Sequence, residues 1–304
     1  MKPNMKENFN NLERRVRESL YSTDTEKINR ELFSIKDPTL ISGVGGSSVV
    51  ADYASKVLNK KNNIITKSVE PRDVKYMNLS GYKNIISCSY SGNNYGVELS
   101  FLNDLKHYLL ASKQSVKGDI TNLTYNITDK EDSFISLSST LIPCSILLNY
   151  FNPNEIERII SFIKKYTFDF NCDSNVFEIF TGLEISTPSK YLESTITESG
   201  IGIPVIHDKY SYCHGRSTLS TISENTAIYF NLDTEFDKLL ISELQNYYKN
   251  VMVLDTKNTL ESEFELLVKC MYLTKYIAEK QNKDLSRVKY NPIVKKLYKY
   301  NGEI

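Results

Sequence analysis

Leu40-Ile-Ser-Gly-Val-Gly-Gly-Ser-Ser48 runs an apolar stretch into glycines and serines and opens directly into Val49-Val-Ala-Asp-Tyr-Ala-Ser-Lys-Val-Leu58, a helical pattern. Glycine lets a backbone turn sharply and approach a ligand closely. A helix start offers unpaired N–H groups and the positive end of the dipole, and Ser47 and Ser48 add hydroxyls. This is the local chemistry of an anion site at a strand-to-helix turn, although a well-capped junction with no ligand would read the same way. The segment has no Gly-Lys-Ser/Thr and so is not a Walker loop. Gly43, Gly45 and Gly46 lack the third glycine of a dinucleotide fingerprint.

Outward from this stretch, short apolar runs alternate with helical ones. PTLISGV, NIITKSV, NIISCSY, YLLAS and LTYNIT read as strands, and helices are expected over 47–58, 97–105, 138–150 (with Pro143 in its first turns) and 155–165. Residues 5–33 space Phe9, Leu12, Val16, Leu20, Ile28 and Leu32 as amphipathic helices. Strand-helix alternation predicts a parallel sheet. After a boundary near Tyr166 to Asp173 the order repeats: VFEIFTG, a helix over 188–199, IPVIHD, a strand over 226–231, a helix over 236–248, VMVLD, and a long helix over 261–280. The expectation is an α/β chain of two tandem three-layer domains, residues 1–165 and 166–304, each a mostly parallel sheet flanked by helices. A length of 304 residues suits two domains.

A second loop, Ser89-Tyr-Ser-Gly-Asn-Asn94, follows NIIS and opens the next helix, and a third, Ser136-Leu-Ser-Ser-Thr140, opens the helix after the fifth strand. Open α/β sheets bind ligands at the carboxyl edge of their strands, and several serine loops converging there favour anion binding over capping alone. Together GVGGSS, SYSGNN and SLSST resemble the sugar isomerase (SIS) domain, whose loops hold a sugar phosphate, and the resemblance spans the whole chain. It implies that Ser48, Ser89, Tyr90, Ser91 and Asn94 cradle phosphate, and that Gly46, Ser47, Ser138, Ser139 and Thr140 border the sugar. Asn94 stands where the family has threonine, and Asn93 where it often has glutamate.

Tandem members of that family, among them the isomerase part of glucosamine-6-phosphate synthase and phosphosugar-amine deglycases, take a glutamate and a histidine from the second half. Here Pro188-Ser-Lys-Tyr-Leu-Glu-Ser-Thr-Ile-Thr-Glu-Ser199 places Glu198 at a helix end, and Asp208-Lys-Tyr-Ser-Tyr-Cys-His-Gly-Arg-Ser-Thr218 places His214 in a turn sixteen positions later. Aldose–ketose conversion moves a proton between C1 and C2, so it needs a carboxylate base near C2 and a group that opens the ring at O5. Glu198 and His214 suit these roles, and no metal or cofactor is called for. The basic tail Tyr290-Asn-Pro-Ile-Val-Lys-Lys-Leu-Tyr298 is similar to family tails that contribute a lysine, here Lys296, with Lys295 beside it. Three positions depart from the pattern: Arg216 replaces proline, Thr195 replaces a lysine, and Glu193 is a rival carboxylate. His207, Asp208 and His107 receive no catalytic role.

The resemblance thus implies an isomerase, deaminase or deglycase of carbohydrate derivatives, acting on a hexose or aminohexose 6-phosphate. The alternative is a non-catalytic phosphosugar sensor or regulator, which Arg216 and Thr195 motivate. The chain opens Met1-Lys2 rather than Met-Cys and leaves no room for a glutaminase, and the residues before the first strand are too few for a helix-turn-helix. Thirty-seven Lys and Arg balance thirty-seven Asp and Glu, so a phosphorylated sugar or amino sugar is the expected partner rather than nucleic acid or a membrane. No signal-peptide core and no long apolar run is present, and five cysteines without a CxxC pair fit a reducing cytoplasm. Family habit adds a homodimer.

Overall fold

The computed structural model describes residues 12–285, apart from 22–25, 94, 102, 115–117, 128–134, 153, 172–173 and 219–223. Among the described residues two compact units emerge, one built on 17–132 and 136–156 and the other on 157–285 together with 12–16 and 135. Each holds its own parallel sheet with flanking helices, the architecture expected from the alternating pattern.

Two helices lead in, α1 (Leu12–Tyr21) and α2 (Glu26–Ser34). The first sheet then assembles from β1 (Thr39–Ser42), β2 (Thr66–Val69), β3 (Asn84–Ser89), β4 (Lys106–Ala111) and β5 (Ile120–Thr124), in the order β2-β1-β3-β4-β5, every pairing parallel. Helix α3 (Gly46–Asn62) follows β1, α4 (Tyr95–Ser100) follows β3, and α5 (Ser138–Phe151) follows β5. All residues of β1 and β3 are buried, which is why those strands read as continuous apolar runs rather than alternating ones. Helix α5 is apolar nearly all round and packs against α3, whose Val49, Val50, Tyr53, Val57 and Leu58 are buried.

Helix α6 (Glu155–Phe162) precedes the second sheet. That sheet comprises β6 (Val176–Thr181), β7 (Ile203–Asp208), β8 (Thr226–Asn231) and β9 (Asn250–Asp255) in the order β7-β6-β8-β9, again all parallel. Helix α7 (Ser186–Ser199) follows β6, the single-turn α8 (Lys209–Tyr212) follows β7, α9 (Glu235–Tyr247) follows β8, and α10 (Leu260–Lys280) follows β9. Helices α7 and α10 pack together. Along α10, Phe264, Leu267, Val268, Met271 and Ile277 are fully buried, each contributing about 1.5–3 kcal/mol relative to exposure. Phe180, Tyr212, Tyr229, Leu240, Leu244 and Tyr248 form one aromatic-rich cluster of the second core. The repeated strand order matches the repetition seen in sequence, except that the second sheet has four strands where the first has five.

Several expected boundaries shift, three of them for a visible reason. Helix α4 ends at Ser100 rather than 105, because the Asn103 side chain takes over its end: Nδ2 donates to the Ser100 carbonyl (2.7 Å) and Oδ1 accepts from Leu105 N–H (3.0 Å). Strand β2 starts at Thr66 rather than 63, since Asn63 is still the left-handed cap of α3 (φ 54°). Strand β5 starts at Ile120, paired with His107, and so begins before LTYNIT. Strand β4 likewise starts before YLLAS, so that His107 sits within it, stacked on Phe101 at 4.8 Å.

Candidate functional site

In the first sheet β1 and β3 are neighbours, and their following connections depart to opposite sides. The loops after them therefore leave side by side at the carboxyl edge, the topological switch point where such sheets hold ligands. Gly45 adopts φ 57°, ψ −131°, a conformation open in practice to glycine alone, and caps α3 with no side-chain bond. The Ser48 hydroxyl turns back onto the Gly45 carbonyl (2.7 Å), so it braces the loop. At Gly46 a Cβ would lie 2.3 Å from Ser136 Oγ and 3.1 Å from Thr140 Oγ1. Ser136 Oγ bonds Ser139 Oγ (2.5 Å) and Thr140 Oγ1 (2.6 Å), and Thr140 Oγ1 reaches the Gly46 carbonyl at 3.4 Å. The structure thus brings the first and third serine loops into contact, with Ser138 buried and Ser47 and Ser139 half-buried beside them.

The second loop is folded on itself. Ser89, 2% exposed, accepts from Gly92 N–H (3.1 Å), and the Tyr90 carbonyl accepts from Ser112 N–H (3.2 Å) and Oγ–H (2.6 Å). Ser91 is exposed and accepts from Asn93 N–H at 3.5 Å. Asn94 lies outside the described residues. Beneath these loops runs a buried hydroxyl chain that sequence reasoning missed: Ser42 Oγ to Ser87 Oγ (2.9 Å) and to Ser100 Oγ (2.7 Å), with Ser100 donating to the Gly96 carbonyl (2.9 Å). It ties β1, β3 and α4 together under both turns. The serines at the ends of NIIS and TLIS were the available signal, since hydroxyls inside a buried strand need partners.

In the second unit Glu198 lies in the last turn of α7, half-buried, accepting from Ser194 Oγ–H at 2.9 Å. Burial pushes its carboxyl above the usual range; the Ser194 bond lowers it in part and the Glu193 charge raises it again. His214 is exposed in the turn after α8, its N–H donating to the Ser211 carbonyl (3.1 Å), and Arg216 is exposed beside it. Thr195 is buried, donating to the Tyr191 carbonyl (2.8 Å) and lying 3.2 Å from the Thr274 hydroxyl. Lys295 and Lys296 fall outside the described residues. Asp208 accepts from Ser211 N–H (2.8 Å) and so caps the turn.

His207 instead points into the core, where its Nε2 meets Glu178 Oε2 at 2.8 Å. Nearby, Lys209 Nζ meets Asp237 Oδ1 at 2.8 Å, both side chains fully buried. Neither pair was singled out from sequence, although Glu178 within the apolar run VFEIFT demanded a buried partner. Among the described residues no three His, Cys, Asp or Glu side chains gather as a metal site would need, and no helix is long and apolar enough to cross a membrane.

No protein-family model matches the sequence, and no curated protein matches it. Solved structures do match the fold. Glucosamine-6-phosphate deaminase from Thermotoga maritima aligns with a TM-score of 0.75 at 15% identity, over 94% of this chain and 98% of that one. Tagatose-6-phosphate ketose/aldose isomerase from Escherichia coli aligns at 0.71 and 15% identity, over 95% and 97%. The C-terminal domain of glucosamine-fructose-6-phosphate aminotransferase from Francisella tularensis aligns at 0.68 and 12% identity, over 93% and 98%. The chain therefore shares, over almost its whole length, the α/β fold of these three proteins.

Proposed function

We propose that the protein binds a hexose or aminohexose 6-phosphate and moves a proton between C1 and C2, as an aldose–ketose isomerase or in the course of releasing an amine as a deaminase or deglycase. The observation that carries this is the pair of Ser/Gly loops leaving β1 and β3 side by side at the switch point, with the third serine loop packed on the first. The similarity in fold to enzymes named for sugar 6-phosphates supports it. In this reading Ser89, Tyr90, Ser91 and Asn94 hold the phosphate, Ser48 joins them once its hydroxyl turns off the Gly45 carbonyl, and Gly46, Ser47 and Ser138 to Thr140 border the sugar.

Glu198 serves as the base. It takes the C2 proton of the open-chain aldose while the C–H electron pair forms the C1=C2 bond and O1 is protonated. Return of a proton to C1 and loss of the O2 proton give the ketose, with no net oxidation. Its raised pKa suits a group that both accepts and returns a proton. His214 passes the proton to and from O5 on ring opening, and Lys296 of the tail pairs with the substrate. A homodimer in the cytoplasm is the expected working form.

The test couples thermal-shift screening against fructose, glucose, tagatose and galactosamine 6-phosphates with exchange of the substrate C2 proton for solvent deuterium. A ligand at a hundredfold excess over its Kd stabilises by about 2.7 kcal/mol. Exchange by the wild type and its loss in Glu198→Gln is the expected result. Binding without exchange would instead favour the sensor, and full exchange in Glu198→Gln would reject the base.

A further inference from the structure

The turn that carries His214 has little to hold it in place locally. Helix α8 is four residues long, too short to be stable by itself. Two of its side chains nevertheless enter the core. Lys209, 1% exposed, bonds Asp237 at 2.8 Å and lies 3.8 Å from Glu184. Tyr212, 2% exposed, sets its ring edge-on against Phe180 (4.8 Å) and His207 (5.1 Å), with its hydroxyl 3.3 Å from Tyr248 OH.

Tyr248 spends its own proton on Glu178 Oε2 (2.6 Å), so the bond between the two phenols takes its proton from Tyr212. Glu178 is the hub. Its Oε2 also meets His207 Nε2, and its Oε1 accepts from Asn225 Nδ2 at 2.7 Å. Among the described residues His207 Nδ1 is buried without a partner. A proton there would be an orphaned donor, so the ring carries its proton on Nε2 and donates to Glu178. Burial pushes Glu178 up, but the bonds from His207, Asn225 and Tyr248 outweigh it and hold the carboxyl below its ordinary range.

Burying a carboxylate and an imidazole is a costly way to fill a core that apolar side chains would fill as well. What the polar set adds is direction: an ordered chain from Asn225 and His207 through Glu178 and Tyr248 to Tyr212, two residues before His214. We propose that Glu178 and Tyr248 are positioning residues, fixing through Tyr212 the turn that presents His214 without touching substrate themselves. The kinetic consequence rests on the role given to His214 above; the mechanical one does not.

Tyr248→Phe removes the relay hydroxyl and keeps the ring. It is expected to lower kcat for C2 exchange about tenfold with KM unchanged within about twofold, the pattern of a misplaced group rather than weakened binding. In combination with His214→Ala it should add no further loss. Independently of catalysis, amide exchange at Cys213–Gly215 and alkylation of the exposed Cys213, mapped by mass, should quicken at least about threefold. Wild-type kcat, losses that multiply with those of His214→Ala, or unchanged exchange and alkylation at 213–215 would each overturn the proposal. If the wild-type protein exchanges no substrate proton at all, the proposed function falls, and the amide and alkylation rates still decide the positioning role. Tyr212→Phe breaks the same relay from its other end and serves if Tyr248→Phe does not fold.

Discussion

Gly43→Ala is the sharpest probe of the first loop. An added Cβ would lie 2.2 Å from the Ser47 carbonyl oxygen, 2.5 Å from its carbon and 2.9 Å from Ser48 N, all backbone atoms of the opening turn of α3. No side-chain rotation relieves this, so the helix start must retreat by about 1 Å to reach ordinary contact distance, at a cost of about 1–3 kcal/mol. For a unit of this size that lowers Tm by roughly 2–10 °C. The same retreat carries the Ser47 hydroxyl, the donor this turn offers in the proposed site, out of hydrogen-bond reach of a bound anion. Losing one charge-assisted bond, worth about 1.5–3 kcal/mol, weakens phosphate binding at least about tenfold. Calorimetric titration with inorganic phosphate and a sugar 6-phosphate, alongside thermal melts, reads both effects. Gly81→Ala is the control, because a Cβ there meets nothing within 4 Å. A Gly43→Ala protein that melts and binds as the wild type does would refute the tight-loop geometry. A lowered Tm with unaltered affinity would keep the packing and refute the phosphate loop.

The acid limb of the exchange rate should lie above the ordinary carboxyl range, because Glu198 must be deprotonated and burial raises its pKa. Ser194→Ala removes the bond that lowers it and moves the limb to higher pH, whereas Glu193→Gln removes a neighbouring negative charge and moves it to lower pH; limbs that stay put would clear Glu198 of the role. Burial pushes the Asp237 carboxyl up, but the Lys209 ammonium and the Tyr229 and Thr234 hydroxyls prevail and hold it at about 2. A depressed carboxyl stabilises the fold above its unfolded value near 3.8 and loses that contribution, about 2 kcal/mol, as pH falls toward 2. Lys209→Met strands the buried carboxylate and should cost about 3–5 kcal/mol at neutral pH, with much of it restored in Lys209→Met/Asp237→Leu. Urea melts from pH 7 to pH 2 check both.

Much of the architecture was legible because parallel strands buried on both faces leave unbroken apolar runs, as in Thr39–Ser42 and Asn84–Ser89, while their helices keep a mixed pattern. The serine loops were legible as strand-to-helix turns for a related reason, since Gly and Ser clustered between an apolar run and a helical pattern mark such a junction. The side-chain direction within each loop was not. Ser48 and Ser89 face their own backbone, a choice made by loop closure rather than by residue type. His207 reads as the end of the strand IPVIHD, but which face it takes was not legible: strand alternation sends it and Asp208 to opposite faces, and the partner that draws it inward, Glu178, is twenty-nine residues away. Pairings of that kind are set by strand register, which no local pattern reveals.

The unbroken parallelism of both sheets bears on how the chain first acquires its structure. No two described strands are joined by a hairpin, and β1 is flanked by β2 and β3, so the pair β1–β3 forms only after an intervening strand and helix have been threaded past. Such assembly lacks cheap local nuclei, making it slow for its size and leaving strand edges bare meanwhile. The described strands of the first sheet and helix α5 all fall within residues 39–151, ahead of the second sheet's strands at 176–255. On an elongating ribosome, therefore, the segment bearing the serine loops has emerged and can close its sheet while the strands of the second are still being made.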